Sequence, residues 1–350
     1  MEVFHLLKGL SQGKLLTSEE LHFLTSTELA HSQRAKAFHL TPENGLDKIK
    51  QRVQLFQEIY QPVSQLCHQL GIKNDPLILS TLWELWLPLG IELGDAKQKK
   101  GSPYIVGILG GQGTGKTTLT KVIQLILHHL NYNSFGLSID DIYKPYQERK
   151  FLKETEGLIW RGPPGTHDIE SGIQVLDQVL QQPESETILI PRFDKSLWNG
   201  EGDRIEPEPI TPPIDIMLFE GWFVGVRPID DEVFQSPLSP IAVKNREFAR
   251  KSNQRLKEYL PLWERLNYLM ILYPVNYRLS KQWRKEAEHK MIAQGKMGMN
   301  DQEIERFVEY FWTALHPELF ITPLTQKSDL VVEINSDRTL GKIYCGRDKS

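Results

Sequence analysis

Gly110-Gly111-Gln112-Gly113-Thr114-Gly115-Lys116-Thr117 follows the apolar run Tyr104–Leu109 and precedes a segment in which Leu119, Val122, Ile123, Ile126, Leu127 and Leu130 recur at helical spacing. Strand, glycine-rich turn and helix, in that order, are the setting in which G-x-x-x-x-G-K-[ST] grips phosphate. The glycines let backbone N–H groups turn inward around an anion with no side chain in the way. The helix that starts near Lys116 aims its positive end at the same place. Lys116 brings a point charge to the outer phosphates and Thr117 a hydroxyl to Mg²⁺. Thr118 adds a second hydroxyl at the helix start. Gly110, Gly111, Gln112, Gly113, Thr114, Gly115, Lys116, Thr117 and Thr118 are therefore the candidate nucleotide-binding residues, and a nucleoside triphosphate with Mg²⁺ is the expected ligand.

Downstream of this loop, strand-like and helix-like segments alternate. Ser134–Ile139, Thr187–Ile190, Ile214–Phe219, Tyr268–Tyr273 and Leu330–Ile334 read as strands, and Asp168–Gln181 as a helix with Ile169, Ile173, Leu176 and Leu180 on one stripe. Such alternation predicts an α/β fold, a three-layer sandwich whose central parallel sheet is covered on both faces. The proline-rich stretch 207–213 reads as an extended connection. Upstream, residues 1–100 read as a helical N-terminal region. TSEE at 17–20 and TSTE at 25–28 fit the capping-box pattern. Thr41-Pro42 opens another helix, carried on by Val53, Phe56, Ile59, Tyr60 and Val63, and a further helix covers 77–94. The charged run 95–100, followed by Gly101 and Pro103, marks the boundary. This gives a helical region over 1–100 and a phosphate-loop domain over 101–350, with a lid around 278–300.

The bulk properties narrow the function. A formal charge of −4 over 350 residues argues against a chain whose main task is gripping nucleic acid. Cys67 and Cys345 are far apart and fit no metal spacing, so a reducing, cytoplasmic setting is expected. The N-terminus lacks the plan of a signal peptide, and Glu84 and Pro88 break the densest apolar region, so no membrane span is expected. The sequence assigns no oligomeric state.

In parallel sheets ligands sit beyond the carboxyl ends of the strands. After Ser134–Ile139 come Asp140, Asp141 and Tyr143. Asp at such a position often only caps a turn. Beside a bound triphosphate, one carboxylate suits proton acceptance from an attacking hydroxyl and the other Mg²⁺, through water. After Ile214–Phe219 comes Glu220, a candidate metal partner where Asp is usual. Three loops rich in Arg, Gly and Pro lie between: Arg161 to Asp168 with His167, Arg192 to Lys195, and Gly202-Asp203-Arg204. The planar fork of Arg suits a carboxylate. Tyr143, Arg161, His167, Asp168, Arg192, Lys195, Asp203 and Arg204 are the candidate substrate residues, although Asp168 also stands where a helix cap belongs. Arg284 lies on a charged helix over 283–288, where a kinase lid carries an Arg for the transferring phosphoryl group. Asn300 and Glu303 cap the next helix.

These segments together resemble the D-glycerate 3-kinase family of plants and cyanobacteria, related to uridine kinase, phosphoribulokinase and pantothenate kinase. The resemblance is carried by the phosphate loop, SIDDIY (138–143), RGPPGTHD (161–168), PRFDKS (191–196), GDR (202–204) and LFEGW (218–222). Asn253, Leu256 and Tyr259, WRKEAE (283–288) and MND (299–301) complete it, and it covers about 104–340. Ile142 departs from the family's usual D-D-F-Y, and Pro163-Pro164 from the plant form of its loop. The resemblance implies the P-loop NTPase fold, five parallel strands with the phosphate-loop strand near the centre, ATP as donor and 3-phosphoglycerate as product in photorespiratory carbon salvage. It also implies Asp140 as the base, with Lys116 and Arg284 sharing the transferred charge; Asp141 and Glu220 remain the metal candidates with Thr117. Two alternatives predict different behaviour: another small-molecule kinase would prefer a nucleoside or sugar phosphate, and a regulatory nucleotide-binding protein would bind ATP without acceptor-dependent turnover. A regulatory GTPase is disfavoured because N-K-x-D is absent; the closest run, Gln326-Lys327-Ser328-Asp329, precedes a strand instead of following one.

Overall fold

The computed structural model describes residues 2–182, 187–293, 295 and 298–349. Residues 294, 296 and 297 of the expected lid, and residues 1, 183–186 and 350 of the two expected regions, lie outside the described residues. Among the described residues eight strands form: β1 (Tyr104–Gly110), β2 (Ser134–Ser138), β3 (Ile188–Asp194), β4 (Asp203–Ile210), β5 (Ile216–Gly221), β6 (Tyr268–Pro274), β7 (Leu330–Ile334) and β8 (Leu340–Tyr344). Six of them make one sheet in the order β2-β5-β1-β6-β7-β8. The first five in that order run parallel, with β1 in the middle, and β8 turns back antiparallel at the edge. The strand expected at Thr187–Ile190 does not join them. It is β3, paired antiparallel with β4 in a separate ribbon, and β4 takes up part of the stretch read as a connection. The pattern of β3 explains this: Leu189 and the residues after Ile190 are not buried, so it lacks the two covered faces a central parallel strand needs.

Alternate residues of the strands build two cores. Val106 and Ile108 of β1, with Leu218 and Met270, face helix Lys116–His129 and the N-terminal helices. Ile105 and Leu109, with Phe219 and Ile271, face helix Ile169–Gln181 and the segments around Tyr259 and Phe320. Helices thus cover both faces of the sheet, and Leu6, Phe56, Trp83 and other N-terminal residues share the first core with it.

Within the N-terminal helices the capping box at Thr17 and Glu20 forms, and helix Ser18–Ala30 follows it. The second capping pattern lies inside that helix. There the Thr25 hydroxyl donates to the Leu21 carbonyl and Glu28 is buried against Arg34 and Arg52. Thr41-Pro42 forms a turn, and the helix opens at Gly45 and runs to Gln69. The helix expected at 77–94 spans Asp75–Lys100. Asn74 caps it, Pro76 sits in its first turn, and it loosens to π geometry at Leu82–Trp86, just before Pro88, before Gly101 ends it with φ 71°. This helix is long and apolar enough, by length and composition alone, to cross a membrane, as a core helix also can be; 72% of its most apolar 18 residues is buried inside the protein, against the first core.

Candidate active site

The phosphate loop leaves β1 at Gly110 and enters helix Lys116–His129. Gly113 has φ 78°, and a Cβ there would stand 2.5 Å from Cβ of Trp283, so the loop and helix Leu279–Ala293 touch where only a hydrogen fits. Thr114 donates to the Gly111 carbonyl (2.8 Å). The Lys116 ammonium folds back on the loop, donating to the carbonyls of Gly110 (2.6 Å) and Gly111 (3.0 Å). Burial pushes its pKa down, while Glu220 and Asp140 pull the other way, so both carboxylates lie within electrostatic reach. Glu220 ends one residue before the tip of β5 and accepts the Thr117 hydroxyl at 3.1 Å. Thr120, and not Thr118, supplies the second hydroxyl to Glu220, at 3.4 Å. Burial raises the Glu220 carboxyl and Lys116 opposes the rise.

Asp140 and Asp141 sit on the short 3-10 turn Ile139–Ile142 beyond β2 and part company there. Asp140 points to Lys195, 2.6 Å away. Burial by itself would raise its carboxyl, but the Lys195 ammonium and hydrogen bonds from Lys195 and Tyr143 hold it below the ordinary range. Asp141 accepts the Ser138 amide (2.9 Å) and pairs with Arg192 (3.0 Å), which also bonds Glu208 and the Gly136 carbonyl. Asp141 is thus held on the turn and the ribbon, and is not brought to Thr117 as Glu220 is.

The substrate candidates divide in the same way. Arg204 bonds the Tyr143 carbonyl (2.8 Å) and pairs with Asp168 (2.7 Å), which in turn caps helix Ile169–Gln181 through the Ser171 amide. Asp203 accepts the Tyr146 amide and the Trp198 indole N–H. These three brace the loops against one another. Arg161 bonds the Gly200 carbonyl and lies over the Phe193 ring at 5.9 Å; it has no carboxylate partner among the described residues. Its charge is felt by both Tyr143 and Arg284, so it lies within electrostatic reach of Tyr143 and of helix Leu279–Ala293. Arg284 pairs with buried Glu288 and lies over Phe307, and its Nε is buried with no partner among the described residues. Tyr143 and His167 are buried and stacked, ring centroids 4.6 Å apart.

Sequence reading missed Thr120, Arg149 and Trp222. Thr120 was detectable, being one helical turn beyond Thr117 on the same face. Arg149 is buried and donates to the carbonyls of Lys144, Glu201 and Gly202, tying helix Tyr146–Glu156 to the 200–204 loop. No local pattern announces such a role. The Trp222 indole donates to the Gly162 carbonyl at 3.0 Å. Gly162 has φ 127°, and a Cβ there would overlap the Phe311 ring. Gly162→Ala is therefore expected to cost about 1–3 kcal/mol, read as a lower urea midpoint at unchanged slope; an unchanged midpoint would mean the loop is not held against Phe311.

No family model matches the chain. It is 27% identical over 300 residues to a chloroplastic D-glycerate 3-kinase of Arabidopsis thaliana, covering 78% of this chain and 64% of the plant protein. It therefore spans less than two thirds of that relative's length. Against the uncharacterized kinase mug58 of Schizosaccharomyces pombe it is 30% identical over 230 residues, covering 61% of this chain and 81% of the yeast protein. Among solved structures, a D-glycerate 3-kinase from Cryptococcus neoformans superposes with a TM-score of 0.65 at 24% identity, over 73% of this chain and 96% of that one.

Proposed function

The chain belongs to the P-loop kinases of the glycerate 3-kinase type, and from that premise we propose that it transfers the γ-phosphoryl group of ATP to the 3-hydroxyl of D-glycerate. The observation that carries this reading is the opposition of two sets of groups across one site. Lys116, Thr117 and Glu220 stand at the phosphate loop, with Asp140 and its partner Lys195 within electrostatic reach of Lys116, and Arg161, which has no carboxylate partner among the described residues, acts on Tyr143, the donor to Asp140.

In this reading the phosphate loop takes the triphosphate through its backbone amides and Lys116. Thr117 and Glu220 offer hard oxygen donors of the kind Mg²⁺ accepts, and the ion, when bound, would neutralise charge on the phosphate oxygens. Among the described residues no cluster of three or more His, Cys, Asp or Glu would hold a metal alone. Mg²⁺ bound beside a triphosphate commonly keeps waters and phosphate oxygens as ligands. Asp141, committed to Ser138 and Arg192, is left to orient the turn that carries Asp140. Arg161 receives the glycerate carboxylate in a planar pair, with Lys195 near the same acceptor. The acceptor oxygen forms its bond to the γ-phosphorus as the bond to the β-phosphate oxygen breaks, and its proton passes to Asp140. Arg284 leaves Glu288 to meet the transferring group as the lid closes. The product, 3-phosphoglycerate, suits a salvage role for photorespiratory carbon. Both cysteines are unpaired, which fits a cytoplasmic setting.

Lys195 gives a pH test with a definite sign. In the native chain its ammonium keeps Asp140 ionised to lower pH than an ordinary carboxyl. Lys195→Met removes that charge and leaves burial to raise the pKa, so the acid limb of kcat/KM is expected to move up in pH, with activity falling more steeply from pH 8 to pH 5. An unmoved limb would show that Asp140 is not the titrating base. The substrate assignment is tested by supplying ATP with D-glycerate, L-glycerate, uridine and ribulose 5-phosphate together and identifying the phosphorylated product by mass. Phosphoglycerate is expected; phosphorylated uridine or ribulose bisphosphate would transfer the chain to another acceptor.

A further inference from the structure

Tyr259 is fully buried and takes no part in the transfer just described, yet its hydroxyl meets a residue of the site. The Gly165 amide donates to Tyr259 Oη at 2.9 Å, and Nδ1 of His167 lies 2.7 Å from the same oxygen. A phenol has one proton to give, and a neutral imidazole has one donor nitrogen and one acceptor nitrogen. If Nδ1 carried the proton, Oη would receive two donors, and its own proton would be left in a buried place without an acceptor. If the phenol donates to Nδ1, every group at that junction is satisfied. The imidazole proton then sits on Nε2.

That nitrogen is itself buried, with no partner among the described residues. The ring is enclosed by Tyr143, Phe223 and Tyr259, and His167 pairs with Tyr143 through an isolated backbone bridge. Tyr143 in turn bonds Asp140. Burial pushes the imidazole down to about 3, with Asp140 opposing and Lys144 and Arg149 assisting, so the ring is neutral near pH 7.

We infer that Tyr259 fixes His167 as its Nε2–H tautomer, and that this uncharged N–H, covered in the unliganded site, comes to donate to an oxygen of the acceptor next to the hydroxyl served by Asp140 when the acceptor binds. The second half rests on the proposed transfer; the tautomer stands without it. A neutral donor suits this position because it orients an oxygen without adding a second cation to the Lys195 already lowering Asp140. A donor left unmatched by a poorer acceptor also selects against it. Tyr259 is then a positioning residue, which gives the third member of the Asn253, Leu256, Tyr259 pattern a task.

The test uses full-length protein with ¹⁵N-labelled histidine and long-range ¹H–¹⁵N spectra, with His167 assigned by its loss in His167→Gln. A single Nε2–H tautomer from pH 6 to 8 is expected in the native chain, and a mixture in Tyr259→Phe. Kinetic arms use whichever acceptor of the panel above the native chain phosphorylates fastest. His167→Asn, whose amide nitrogen stands near the Nδ1 position, is expected to raise the acceptor KM about tenfold with the KM for ATP unmoved. His167→Gln, whose amide nitrogen reaches the Nε2 position, should recover most of that loss. An Nδ1–H tautomer, an imidazolium signature at pH 7, or equal acceptor KM values for the Asn and Gln variants would overturn the inference. Thermal unfolding accompanies each variant, and the native and Tyr259→Phe spectra decide the tautomer should His167→Asn fail to fold. Failure to use D-glycerate would count against the substrate alone, since the tautomer and the other acceptors remain to be read.

Discussion

Lys116→Ala is expected to lower kcat by about two to three orders of magnitude, the usual loss when a preorganised donor to a developing anion is removed. Its ammonium lies on the Gly110 and Gly111 carbonyls and within reach of Glu220 and Asp140. A positive charge held ready between the triphosphate and the acceptor acts most where charge moves. The fold should tolerate the change. The side chain is buried, but its partners are two loop carbonyls, and its truncation deletes a charge that burial already disfavours. The measurements are ADP release at saturating acceptor and a urea unfolding curve. Loss of stability in step with loss of rate would mean that Lys116 organises the loop instead of acting on the phosphates.

Asp140→Asn is expected to remove about two to four orders of magnitude of kcat, with the KM for ATP little changed. The amide cannot take the acceptor proton, although it keeps the carboxylate's shape beside Lys195 and Tyr143. Asp141→Asn makes the contrast. Asp141 binds Ser138 and Arg192, so its variant should act through the stability of the turn and lower kcat by less than Asp140→Asn. If Asp141→Asn abolished turnover while Asp140→Asn retained it, the base would be misassigned and the turn would have to deliver the other carboxylate.

The sheet was legible because its signal is local. Five of the six apolar runs became the parallel strands of the sheet, with the phosphate-loop strand in the middle, and three of them lead straight into glycine or acid, at Gly110, Asp140 and Glu220. The β3–β4 ribbon and the edge strand β8 escaped, since Ile188–Asp194 alternates too weakly to show its partner and Leu340–Tyr344 is short and half covered. In the N-terminal region, TSTE carried the letters of a cap, but burial of Glu28 against Arg34 and Arg52 overrode them; a long-range ion pair is invisible to a four-residue pattern. At the site, residue types pointed to loops that the structure ties to one another, without separating their tasks. Arg192 and Arg204 look like Arg161 in sequence, and only the three-dimensional pairing with Asp141, Glu208 and Asp168 sets them apart. Asp140 and Asp141 are neighbours in the chain, yet the 3-10 turn sends one to Lys195 and the other to Arg192.

Whether phosphate loop and acceptor side form one phosphoryl-transfer site for glycerate is read from the steady-state rate of ADP release with ATP and Mg²⁺, measured without acceptor and then with D-glycerate. D-glycerate is expected to raise the rate by at least about a hundredfold, with phosphate recovered on carbon 3. A rate the same with and without D-glycerate, in a chain that binds ATP, would contradict one shared site.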